Sequence, residues 1–137
     1  MSETCRYRQV LLFLYYILII KLADNMEYNA VKYDYYTGWP ANVNRYLRIS
    51  VGLYRIWYGR VKIGITNDPE RRFKEHQRRD GWERMVVKYE TKSIKHANEI
   101  EKYFINRCEW LENSWAGWSN SNGDKFYVYI LLADKIR

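Results

Sequence analysis

Residues 61–76 read "VKIGITNDPERRFKEH", and this stretch leaves little freedom in what the chain can form. An apolar run with alternating partners ends in a turn, and the turn ends in a helix start. Asp68 suits the N-cap, Pro69 the first helical position and Glu70 the first turn. The helix is expected to run to about Arg79 and to stop before Gly81. Side chains two apart on a strand share a face, so Lys62 lies on the same side as Gly64. Side chains four apart on a helix also share a face, so Arg72 and His76 project together with Phe73 beside them, while Arg71 points elsewhere.

Around this segment the pattern predicts an α+β fold: a small antiparallel three-stranded sheet flanked by helices, with an extra C-terminal strand. "RISVGLYRIWYGRVKIGIT" (residues 48–66) reads as two strands joined at Tyr58-Gly59-Arg60. "ERMVVKYET" gives a third strand, Ser93 caps a second helix reaching about Leu111, and "KFYVYILLA" gives the last strand. The chain of 137 residues suffices for one domain. Its expected division is an apolar extension (1–25), a Tyr-rich lead-in (26–46) read as loop, and a functional domain (47–137). Val10–Ile20 is uninterruptedly apolar, but as a helix it spans about 16 Å against roughly 30 Å of bilayer core. A packed or interfacial helix, a weak signal or anchor, and an extension upstream of a start at Met26 all fit, the last being favoured. A membrane partner is therefore not favoured. Cys5 and Cys108 form neither a metal-ligand cluster nor a disulfide framework, and Cys108 reads as a small buried hydrophobe. A reducing, intracellular setting fits, while oligomeric state is not legible.

The formal net charge is +7. From Arg45 to Arg79 ten Lys/Arg face only Asp68, Glu70 and Glu75, so the whole excess sits in that stretch. Such a concentration favours nucleic acid or another acidic partner. Arg55, Arg60, Arg71, Lys74, Arg78 and Arg79 are the candidate DNA contacts, although Arg78 and Arg79 equally suit a solvated face. On the second helix Ala97, Phe104, Ile105 and Cys108 form an apolar stripe, and Glu101 falls inside it. A buried carboxylate is costly unless paired or bound to a cation. A position at the rim that reaches water, or an arginine partner, would serve as well.

Taken in order, these residues resemble the GIY-YIG nuclease superfamily. "GLY" at Gly52-Leu53-Tyr54 resembles the first signature triplet, and "KIG" at Lys62-Ile63-Gly64 resembles the second, with lysine for tyrosine as in a phage-type subgroup. Arg72, His76 and the "EKYFI" segment at Glu101 match the helix arginine, the histidine and the metal-binding glutamate. The resemblance covers about Val51 to Asn113. It implies a DNA endonuclease that uses one divalent cation, Mg²⁺ or Mn²⁺, held by Glu101. Tyr54 would orient or deprotonate water, Arg72 would stabilise charge on the phosphate, Lys62 would clamp phosphate or assist Tyr54, and His76 would relay protons. Gly64 and Asn113 would be supporting residues. Tyr129 in "FYVYIL" also resembles a first-strand tyrosine, but its use requires a permuted sheet. The competing readings are a DNA-binding module of the same fold without catalysis, supported by Lys62, and a small membrane-associated basic protein. The Gly/Trp/Asn-rich loop with Trp115 and Trp118 could stack on unpaired bases or pack over the sheet.

Overall fold

The structure is a computed structural model and describes residues 8–16, 29–113 and 123–134. A helical segment, α1, covers 8–16. Then follow β1 (Val31–Tyr36), α2 (Pro40–Trp57), β2 (Arg60–Thr66), α3 (Pro69–Asp80), β3 (Arg84–Thr91), α4 (Ile94–Arg107) and β4 (Phe126–Ala133). The expected helix-flanked α+β sheet is present, but the C-terminal strand is not its extra one. The sheet order is β1-β3-β4-β2. β4 runs antiparallel to both β2 and β3, and β1 joins β3 in parallel. The C-terminal strand is thus the centre of the antiparallel unit, and the added edge strand comes from the Tyr-rich stretch that reads as loop. A strand covered on both faces needs an almost continuous apolar sequence, which β4 supplies: seven of its eight residues are buried.

The expected strand over 48–57 is instead the second half of an 18-residue helix. Ile49, Val51 and Leu53 alternate as a strand would, but a longer window reverses the reading. Val43, Leu47, Val51, Tyr54 and Trp57 recur every three or four residues and form the buried stripe of α2. Pro40 sits in the first turn, where its missing N–H has no intrahelical partner to lose. Ile49 and Ile56, which a strand would have paired, are left exposed.

The other elements follow their local signals. The Asp68 side chain accepts a 3.2 Å bond from the Arg71 N–H, and Gly81 ends α3 in the left-handed region at φ 70°. Ser93 caps α4 through the His96 N–H at 3.3 Å. Apolar side chains fill both faces of the sheet. Leu47, Tyr54, Ile63, Ile100, Phe104 and Ile130 belong to the core on the α2–α4 side. Phe73, Trp82, Met85, Val87 and Leu131 belong to the core under α3. Phe73 is buried, and burying such a ring contributes roughly 1.5–3 kcal/mol.

The free side of β2 is covered by residues 111–113. The Glu112 N–H donates to the Val61 carbonyl at 3.0 Å, and Asn113 takes up both backbone groups of Ile63, at 3.0 and 2.6 Å. Side-chain amides so placed occupy an edge that would otherwise pair with another chain. In α1, Val10 to Tyr16 are all exposed. No described helix is long and apolar enough to cross a membrane. Trp115 and Trp118 lie outside the described residues.

Candidate active site

Gly64 of β2 stands directly opposite Tyr129 of β4. Cross-strand partners share a face, so Lys62, Gly64 and Tyr129 all point to the side that α3 covers. The Tyr129 ring crosses the strand pair over Gly64, where an added Cβ would overlap the ring's Cζ and hydroxyl. The glycine of the "KIG" triplet is therefore required by close approach, and what approaches is a tyrosine from the far end of the chain. Its hydroxyl lies 2.9 Å from His76 Nε2. One turn earlier on α3, Arg72 sets its guanidinium against the same hydroxyl.

The electrostatics follow from this packing. His76 is 5% exposed, and burial, then the positive charges of Lys62, Arg72 and Arg79, push its pKa down to about 4. The imidazole is therefore neutral at ordinary pH. Its Nδ1 is buried with no hydrogen-bond partner among the described residues. Burial pushes the Tyr129 phenol up, with smaller contributions from Glu101 and Glu75, while Arg72 pulls it down. Burial works against the Arg72 charge, but the Glu75 carboxylate at 3.0 Å and the Tyr129 oxygen more than offset it, so the Arg72 pKa is raised. Glu101 is 7% exposed on α4. It comes from the layer on the opposite side of the sheet, yet its charge reaches the Tyr129 phenol.

Lys62, Gly64, Arg72 and His76, all singled out in the sequence, thus gather around Tyr129, while Glu101 acts on its phenol electrostatically from the opposite layer. Tyr54 does not join them. On α2 it is 5% exposed and packs with the rings of Trp57 and Tyr58 in the core on the other face. The helical conformation of 40–57 places it there, and with it the "GLY" triplet. Asn113 acts through the backbone: it fixes Ile63, the residue between Lys62 and Gly64. Among the candidate DNA contacts, Arg71, Lys74, Arg78 and Arg79 are exposed on α3. Arg71, Lys74 and Arg78 line a shallow depression together with Asp68, Glu70 and Glu75. Arg60 is turned inward instead. It bonds Glu112 at 2.8 and 3.1 Å and the Asp80 carbonyl at 2.9 Å, and it lies over the Trp82 ring. Arg55 is exposed on α2, over Trp110.

A sequence model of the T5orf172 domain matches residues 51–113, somewhat less than half of the chain. A match of this kind points to a nuclease-like or DNA-binding role. The matched span holds Lys62, Gly64, Arg72, His76 and Glu101 and ends before β4, so Tyr129 lies outside it. No curated protein and no solved structure matches the chain. Over 51–113 the chain is therefore similar to the T5orf172 domain, and β4 adds a tyrosine to the group of residues that this similarity covers.

Proposed function

We propose that this chain is a metal-dependent endonuclease that hydrolyses DNA phosphodiester bonds at a GIY-YIG-like site, with Tyr129 in the role that the sequence order assigns to Tyr54. The observation that carries the reading is the Tyr129–His76 hydrogen bond, with Arg72 against the same hydroxyl. In this reading the strand that opens a GIY-YIG domain closes this chain.

Hydrolysis needs an oriented water, somewhere for its proton to go, and relief of charge on the phosphate. The Tyr129 hydroxyl orients the water and accepts its proton as its own passes to His76 Nε2. A neutral imidazole can take that proton; an imidazolium cannot. Arg72 faces the phosphate oxygens and stabilises their growing charge. Lys62 holds a phosphate oxygen, and its charge helps keep His76 neutral.

The family resemblance implies one divalent ion, with Glu101 as its carboxylate. Among the described residues there is no cluster of three or more His, Cys, Asp or Glu that could hold a metal. Magnesium typically takes one or two carboxylates and keeps waters and substrate phosphates, so Glu101 would be the one carboxylate to hold it, with waters and a phosphate oxygen completing the shell. When bound, such an ion would polarise the phosphate and offset charge on the leaving oxygen. The test is nicking of supercoiled plasmid with Mg²⁺ or Mn²⁺ and with chelator. Nicking should require the metal, and Glu101→Gln should abolish it while DNA binding persists. Full nicking in chelator, or by Glu101→Gln, would contradict the reading.

A further inference from the structure

On the outer side of the α2–α4 layer, away from Tyr129, the two helices leave a groove of about 520 Å³. That lies within the range, roughly 300–1,000 Å³, of pockets that enclose small ligands. Arg48, Arg55 and Arg107 border it, the half-buried Tyr103 and Trp110 contribute rings while Phe104 is buried in its wall, and no carboxylate is among its lining residues. The Arg55 guanidinium lies 5.2 Å from the Trp110 ring centre, and that of Arg107 lies 4.9 Å from Tyr103. A guanidinium resting on a ring is held by its flat face and keeps its N–H edge for an anion.

Gly52 is an independent clue. A glycine inside a helix costs about 1 kcal/mol relative to alanine. Here neither a positive φ nor a close neighbour requires one, since an added Cβ would meet nothing within 4 Å. What the missing side chain does is keep the groove open between Arg48 and Arg55. With Arg45, these positions are spaced three, four and three apart, a single stripe along α2.

We propose that this groove binds an unpaired stretch of nucleic acid, with a base against the Tyr103 or Trp110 ring and phosphates on Arg48, Arg55 and Arg107. A duplex offers phosphates but keeps its bases stacked inside, so the rings would stay uncovered. A lone phosphorylated side chain needs arginines that converge, whereas Arg48 and Arg55 stand about 10 Å apart along the helix axis. A lipid surface is flat, and this site is concave. Ring stacking beside a line of cations is how single strands are held without sequence preference. The surface is separate from the Tyr129 site, so its test does not depend on cleavage.

The experiment measures binding of fluorescent oligothymidine, about a dozen nucleotides long, by anisotropy in chelator. A duplex of equal length and phosphatidylserine vesicles are the comparisons. Wild type should prefer the single strand. Gly52→Leu plugs the groove while improving helix propensity, and should weaken single-strand binding about tenfold, the order expected for one lost stacked base, with an unchanged or higher Tm. Arg48→Gln/Arg55→Gln should do the same. In a Cys5→Ser background, oligothymidine should also protect Cys108, which lines the groove, from alkylation. Wild-type single-strand affinity in both variants, or binding of vesicles and not of oligothymidine, would overturn the proposal.

Discussion

The Tyr129 hydroxyl and His76 Nε2 are 2.9 Å apart, although 53 residues separate them in sequence. β4 contributes one partner and α3 the other, and the residue that lets them meet is Gly64, over which the Tyr129 ring lies. A phenol whose pKa burial raises and an imidazole whose pKa burial lowers are both neutral near pH 7. Passing the phenol's proton to the imidazole leaves an imidazolium in the core, so the transfer has to be coupled to the phenol's gain of a proton from water.

Burial of His76 among positive charges makes stability depend on pH in a defined window. His76 binds its proton near pH 4 in the folded chain, against 6.5 ordinarily. Between those values the unfolded state holds more protons, so stability falls as the pH drops from 6.5 toward 4 and is fully present above 6.5. His76→Gln has no such titration. Its Tm should be flatter than wild type across this window, and NMR titration of wild type should show one histidine shifted far below the ordinary range. Equal Tm profiles for the two proteins would remove the assignment.

Lys62 is the lysine where the resembling family most often has tyrosine. Its charge is the second cause, after burial, of the lowered His76 pKa. Lys62→Met should therefore raise the His76 pKa, and it should slow cleavage by about two orders of magnitude, as loss of a positioned electrostatic group does. If Lys62 only guards an exposed strand, the variant would cut like wild type and keep the His76 titration, with Arg72→Ala inactive in the same assay.

Local signals were legible wherever one residue type satisfies one backbone need. Asp68, Pro69 and Gly81 bound α3, and Ser93 starts α4, because caps and turns act within a few residues. Arg72 and His76 could be paired from spacing alone. The two differences come from longer range. At 48–57 the short alternation Ile49-Val51-Leu53 competes with the helical stripe from Val43 to Trp57, and burial of that stripe decides. Tyr129 sits in "FYVYIL", which resembles a first strand but lies after the helices in sequence, and its relation to Gly64 exists only once β4 enters the sheet between β3 and β2. Linear spacing cannot express such a pairing, which is why Tyr54, next to "KIG" in sequence, was the more readable candidate.

The most direct measurement compares two single-atom changes, Tyr129→Phe and Tyr54→Phe, in the Mg²⁺-dependent plasmid nicking assay, with Tm recorded for both. Each variant keeps its ring and loses only a hydroxyl. Removing the Tyr129 hydroxyl should lower the nicking rate by about 10²-fold or more, the scale of a positioned catalytic group, and leave DNA binding intact. Removing the Tyr54 hydroxyl, on the other face of the sheet, should change the rate by no more than its effect on stability explains. The opposite pattern, an active Tyr129→Phe and an inactive, folded Tyr54→Phe, would contradict the account.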